Sequence, residues 1–170
     1  MTSLCNSQFP AQLLCKDILS KLPSGIDMRP LELDDYQKGY LETLAELTTV
    51  GNVTKEMFEN RFKLMQDRND QYMCVVLYDC STKRVVGSAN LLLEHKFIHD
   101  CGLAGHIEDV VISESQRGKG LGKWLIKQLV HLGKTKGAYK TLLACADKNV
   151  EFYEKCGLER KEISMAIYYH

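Results

Sequence analysis

Residues 108–130, EDVVISESQRGKGLGKWLIKQLV, run from an acidic pair through a β-branched segment into a knot of glycines and basic residues, and then into an apolar-periodic stretch. Val110, Val111 and Ile112 favour a strand. Leu121, Leu125, Leu129 and Leu132 recur at helical spacing. Strand, glycine turn and helix thus follow one another directly. Glycines in such a turn let successive N–H groups converge on an anion, and the helix N-terminus adds partial positive charge. Arg117, Lys119 and Lys123 reinforce that sign, and a pyrophosphate would fit.

Two familiar phosphate loops are excluded by spacing. A Walker A loop needs GxxxxGK followed by Ser or Thr, whereas Arg117 stands five residues before Gly122 and Trp124 follows Lys123. A dinucleotide fingerprint needs GxGxxG, but the glycines here are Gly118, Gly120 and Gly122. What remains is a basic residue followed by x-x-G-x-G between a buried strand and an amphipathic helix.

Outward from this unit the chain alternates strand and helix signals. Residues 8–22 carry a weak helical stripe ended by Pro23-Ser24-Gly25, so residues 1–25 read as an appended N-terminal arm and 26–170 as the main domain. IDMRPLEL reads as a short strand, with Pro30 at its edge or end. Asp34 or Asp35 can cap a helix running to about Leu47, and Thr54 a second one with Met57, Phe58, Phe62 and Met65 on one stripe. YMCVVLY (72–78) and RVVGSANLLLE (84–94) form a hairpin across DCSTK. HKFIHDCGLAG is a loop, HIEDVVI a third strand, and LGKWLIKQLVHLG a helix stopped by Gly133. KTLLACA is a further strand, NVEFYEKCG a short helix ended by Gly157, and ISMAIYYH a last strand. The order predicts one α/β domain whose mixed, mostly antiparallel sheet carries helices on both faces.

Composition narrows the function. The 170 residues carry 22 basic and 22 acidic side chains, which removes the general electrostatic case for a nucleic-acid or membrane-surface partner. Seven cysteines (5, 15, 74, 80, 101, 145 and 156) form neither paired CxxC sets nor a dense disulfide framework. With no basic n-region and no 18-residue apolar run, a soluble cytoplasmic protein without a transmembrane segment is expected. His95 and His99 lie four apart without a completed ligand set, so no metal is expected.

The glycine turn Arg117-Gly118-Lys119-Gly120-Leu121-Gly122 resembles the pyrophosphate-binding motif of the GNAT N-acetyltransferases. LTTVG (47–51), KFIH (96–99), GHIEDV (105–110), RGKGLGK (117–123) and KNVEFYEKCG (148–157) are similar, in order and spacing, to the glucosamine-6-phosphate-acetylating branch of that family. The resemblance spans most of 26–157. It implies an acetyl-CoA-dependent enzyme of amino-sugar synthesis, with no metal, acting on a small aminosugar phosphate.

The resemblance also implies roles. Val110, Val111 and Ile112 would offer backbone N–H groups to the acetyl-pantetheine arm, where the strand splays from its neighbour. Arg117, Gly118, Lys119, Gly120, Leu121, Gly122 and Lys123 would hold the pyrophosphate. Asn149, Phe152, Tyr153 and Lys155 would line the cofactor from the short helix, with Tyr153 protonating the departing thiolate. Glu108 and Asp109 would line the aminosugar site and take part in proton transfer. They fall on opposite faces of a regular strand unless a bulge intervenes. Thr48, Lys96, Phe97, Ile98 and His99 would contact sugar and phosphate, whereas His106 reads as structural.

Two departures bear on substrate. The family carries an acid at the position of Ala144, and in its last strand an arginine that reaches the sugar phosphate from the partner subunit of a strand-exchanged homodimer. Ile167 or Tyr168 stands there, with Arg160, Lys161 and His170 as substitutes. The alternatives are therefore an acetyltransferase for another amine, such as a polyamine, arylalkylamine or protein lysine, and a non-catalytic CoA-binding homologue.

Overall fold

The structure, a computed structural model, describes residues 6–169. Cys5 and His170 lie outside the described residues. A single five-stranded sheet runs in chain order, β1 (Ile26–Pro30), β2 (Tyr72–Asp79), β3 (Arg84–His95), β4 (Leu103–Ile112) and β5 (Ala138–Leu142). The first four are antiparallel neighbours; β5 lies parallel to β4. The β2–β3 turn is closed by Asp79, whose Oδ1 accepts from the Ser81 N–H at 2.8 Å and the Ser81 hydroxyl at 2.6 Å.

Helices cover both faces, as expected, beginning with the short α1 (Lys16–Leu19). Met73, Val75 and Leu77 of β2 enter one core with Leu121, Leu125, Ile126, Leu129 and Leu132. Cys74 and Val76 enter the other with Tyr40, Phe58 and Phe62. A strand buried on both sides reads as a continuous apolar run, which is what YMCVVLY is.

A parallel β4–β5 pair requires a crossover, and the helix after the glycine turn supplies it. That helix, Leu121–Thr135, does not stop at Gly133. Gly133 is buried within it, where a Cβ would stand 2.8 Å from Thr141 Oγ1 on β5; the left-handed residue beyond the helix end is Gly137, at φ 84°. Gly133 is thus a close-packing residue rather than a terminator.

The helix expected from Asp34 or Asp35 to Leu47 is broken. Leu33–Lys38 form a 3-10 turn, Gly39 adopts φ 86°, and a new helix, α2 (Tyr40–Ala45), begins. Asp35 is fully buried and forms a fork with Arg29 at 2.8 and 2.7 Å, so its carboxylate caps the Glu32 N–H rather than starting a long helix. Thr54 does cap α3 (Lys55–Asp67), through a Met57 N–H at 3.2 Å. The α3 stripe is narrower than expected: Phe58 and Phe62 are buried, but Met57 is exposed.

From Asn6 onward, the stretch read as an appended arm packs into the core. Phe9 and Leu14 are buried against the crossover helix, and Gln8 bridges elements by accepting from the Cys74 N–H at 2.9 Å and donating to Tyr72 O at 2.7 Å. Two sequence expectations fail at the other end. The fifth strand stops at Leu142 rather than running to 146. The strand expected at 163–170 does not form among the described residues, and Ile163, Met165, Tyr168 and Tyr169 stand exposed with no ladder to satisfy their backbone.

Candidate active site

The site is built around an irregularity in β4. Asn90 pairs with Glu108 and Ser88 with Val111, so Ala89 alone faces Asp109 and Val110. Asp109 takes φ 53° there, a left-handed conformation uncommon outside glycine. The bulge breaks the alternation that would separate the acidic pair, and both Glu108 and Asp109 are exposed. Asn90 Nδ2 donates to Asp109 Oδ2 at 2.9 Å.

Beside the bulge the sheet opens. Pairing of β4 with β5 ends at His106↔Leu142, so the stretch Val110, Val111, Ile112 has no strand along its β5 edge. Val111 is buried, while Val110 and Ile112 pack at the border of the core. Such an edge can present N–H groups to an extended acyl-pantetheine chain.

The glycine turn follows. Gly118 and Gly120 have φ of 78° and 74°, and a Cβ on either would meet nothing within 4 Å. The turn therefore leaves an open cradle. The crossover helix begins at Leu121, which anchors it in the core, and its first turn holds no acidic residue. Its first N–H groups lack intrahelical partners and suit an anion. Gly122 has a different reason to be glycine: a Cβ would approach Phe152 Cζ at 3.1 Å. Arg117, Lys119 and Lys123 are exposed around the turn. Arg117 Nε donates to Ile112 O at 3.0 Å, and Lys119 Nζ to Gln116 Oε1 at 2.7 Å.

Phe152 belongs to a short helix, Val150–Lys155, docked on the start of the crossover helix. Tyr153 lies edge-on to it at 5.0 Å and packs at the border of the core. Burial, with Cys145 and Cys156 nearby, raises the Tyr153 phenol above the usual tyrosine range. It stays protonated at neutral pH and can donate. Asn149 stands at the start of this helix without a side-chain cap, and Lys155 pairs with Glu151 at 2.6 Å.

The remaining residues are not gathered here. Lys96, Phe97, Ile98 and His99 follow His95↔Leu103, five rungs along the β3–β4 ladder from Asn90↔Glu108. Five rungs is about 17 Å at a strand's rise. His99 stacks on Tyr139 with centroids 4.1 Å apart, and Phe97 is 96% exposed. Lys96 and His106 both reach Glu94, at 2.7 and 2.9 Å, which holds that carboxyl below its ordinary range, and His106 is the paired structural residue expected. Thr48 is exposed just beyond α2. Arg160 is taken by Asp147 at 3.1 Å.

A family model, the acetyltransferase (GNAT) family, matches residues 28–158. The chain belongs to the GNAT acetyltransferases. The chain is 44% identical to glucosamine 6-phosphate N-acetyltransferase 1 of Dictyostelium discoideum over 88% of this chain and 94% of that one. It is 39% identical to glucosamine 6-phosphate N-acetyltransferase of Arabidopsis thaliana over 84% of this chain and 95% of the relative. The crystal structure of the Arabidopsis enzyme superimposes with a TM-score of 0.84, covering 85% of this chain and 99% of that one.

GNAT acetyltransferases use acetyl-CoA, and the open cradle at Gly118 and Gly120, with its cations and free helix N-terminus, fits the pyrophosphate of such a donor. Sequence reasoning missed Asn90, which reads as one polar residue in an apolar strand, and Glu46, which nothing in the sequence marks. Both emerge only when β3 and α2 are placed against β4.

Proposed function

We propose that the chain transfers the acetyl group of acetyl-CoA to the amine of glucosamine 6-phosphate, giving N-acetylglucosamine 6-phosphate and CoA in hexosamine synthesis. The observation that carries this reading is the bulge: it presents Glu108 and Asp109 together beside an unpaired β4 edge that leads directly to the glycine cradle. Amine acceptor and thioester donor can then meet on one strand. The likeness to aminosugar-phosphate acetyltransferases over most of the chain supports the substrate.

In this reading the N–H groups of Val110 to Ile112 polarise the thioester carbonyl, and the uncharged amine attacks it. Glu108 or Asp109 accepts the amine's surplus proton, directly or through water. Tyr153 supports the leaving thiolate with its hydroxyl. Arg117 to Lys123 hold the pyrophosphate, with Asn149, Phe152 and Lys155 along the cofactor. Thr48, Lys96, Phe97, Ile98 and His99 serve sugar and phosphate.

The last group implies a homodimer. Lys96 to His99 lie five rungs from Glu108 within one chain, a separation that supports a second copy supplying them or the phosphate contact. The exposed apolar tail, with Ile163 at 93%, supports exchange of a C-terminal strand. The six cysteines among the described residues are free thiols, in keeping with the cytoplasm.

Ala144 favours a second reading, transfer to a different amine, because it stands exposed just past β5 where a carboxylate would serve the sugar. Thiol release from acetyl-CoA, measured with glucosamine 6-phosphate, glucosamine, a polyamine, an arylalkylamine and a lysine peptide, separates the two. Turnover is expected with glucosamine 6-phosphate at least tenfold above the others. Preference for another amine leaves an acetyltransferase with a different substrate.

A further inference from the structure

One side chain ties the end of α2 to the approach of the glycine turn. Glu46 follows Ala45 at the C-terminal end of α2, where a carboxylate faces the negative end of the helix and is locally disfavoured. Donors from β4's far end hold it there. Ser113 Oγ donates to Oε1 at 2.8 Å, the Glu114 N–H to Oε2 at 2.6 Å, and Arg117 Nη2 lies 3.5 Å from Oε2. Arg117 is fixed at a second point, by its Nε on Ile112 O at 3.0 Å.

All of these donors lie in 113–117, between the last residue of β4 and Gly118. The Ser113 and Glu114 hydrogen bonds, with the Arg117 charge, hold the Glu46 carboxyl below its ordinary range, so it is ionised at neutral pH. The segment bearing Thr48 starts directly after Glu46, and the cradle starts directly after Arg117. Residues 113–117 are also held toward β2 and β3, by the Ser113 N–H on Val86 O at 2.8 Å and Gln116 Nε2 on Asp79 Oδ2 at 3.2 Å, and Glu46 adds the tie to α2.

We propose that Glu46 is a positioning residue for the acetyl donor: by fastening residues 113–117 to α2 it sets the Arg117 guanidinium and the cradle's N–H groups in the geometry the pyrophosphate requires. The inference rests on the acetyl-CoA reading above. Donors fixed before binding lose less freedom on complex formation, so the effect falls on donor affinity. A carboxylate that merely occupied the anion's place would act with the opposite sign, since removing it would tighten binding.

The test uses the full chain as wild type, Glu46→Gln and Ser113→Ala, the last removing one donor with little risk to folding. Each is titrated calorimetrically with acetyl-CoA and assayed with two donors, acetyl-CoA and the acetyl thioester of N-acetylcysteamine, which lacks the pyrophosphate. Glu46→Gln is expected to weaken acetyl-CoA binding about three- to tenfold, Ser113→Ala less, with kcat near wild type and kcat/KM for the short thioester unchanged. Equal losses on both donors would show general loosening and overturn the proposal; unchanged or tighter acetyl-CoA binding would overturn it too. Wild type that fails to bind acetyl-CoA removes the donor reading itself, a distinct outcome.

Discussion

Asn90 Nδ2 donates to Asp109 Oδ2 at 2.9 Å, from the β3 residue that pairs with Glu108 immediately before the bulge. The contact fixes the rotamer of a carboxylate whose backbone is already held at φ 53°. Asn90→Ala is therefore expected to lower kcat/KM about tenfold, since a hydrogen bond to a charged group contributes about 1.5–3 kcal/mol and this one is partly solvated. Acetyl-CoA affinity should stay the same. Steady-state kinetics on both substrates checks this, and wild-type values would detach Asn90 from the chemistry.

At the glycine cradle, Gly120→Ala separates two effects. A Cβ there meets no protein atom, so the cost to the fold is confined to a left-handed φ of 74°, about 1–2 kcal/mol. Acetyl-CoA affinity should drop by more than that stability loss, because the Cβ points into the cradle's open space. Calorimetric titration beside denaturant unfolding measures both; full affinity in a destabilised variant would move the pyrophosphate elsewhere.

Tyr153→Phe removes only a hydroxyl at the border of the core. Turnover is expected to fall by roughly 10²–10⁴, the usual contribution of a general acid, with little change in acetyl-CoA binding. Because burial raises this phenol above its ordinary value of 10.0, the wild-type rate should show no loss of the Tyr153 proton below that pH. Rates measured under single-turnover conditions across pH decide it.

The Glu46 tie has a pH signature. Its carboxyl is depressed below 4.5 in the folded chain, so the stabilisation is present above about pH 4.5 and is lost as pH falls through the lower folded value. The difference in Tm between wild type and Glu46→Gln should thus exist at neutral pH and disappear in acid. It should correspond to less than about 1 kcal/mol, since the pair is partly exposed. A difference independent of pH would point to packing instead.

Much of this architecture could be read from the chain because its patterns are local. β-rich runs joined by a short polar turn give β2 and β3, helical spacing gives the crossover helix, and Gly118 and Gly120 announce the turn they make. The failures are tertiary. Gly133 looks like a helix stop, yet its missing Cβ serves Thr141 on a strand that comes later. Gly39 breaks a helix that its neighbours would continue, and a Cβ there would collide with the Arg84 guanidinium. The bulge at Asp109 lies opposite Ala89 across the ladder, and residues 163–169 pair with no strand among the described residues. The residues at 96–99 resemble a sugar site in sequence, but the ladder sets them five rungs from the acidic pair.

The central claim is that the acetyl group moves from acetyl-CoA to the nitrogen of glucosamine 6-phosphate on the bulged strand. Incubating the protein with acetyl-CoA carrying an isotopically labelled acetyl group and with glucosamine 6-phosphate, then locating the label by mass spectrometry and NMR, tests it directly. The account predicts label on the sugar nitrogen as N-acetylglucosamine 6-phosphate, one CoA thiol per product, and loss of both when Glu108 and Asp109 are replaced by alanine. Acetyl-CoA bound but left intact in the presence of the sugar phosphate, or label transferred at the same rate by the doubly substituted chain, would contradict it.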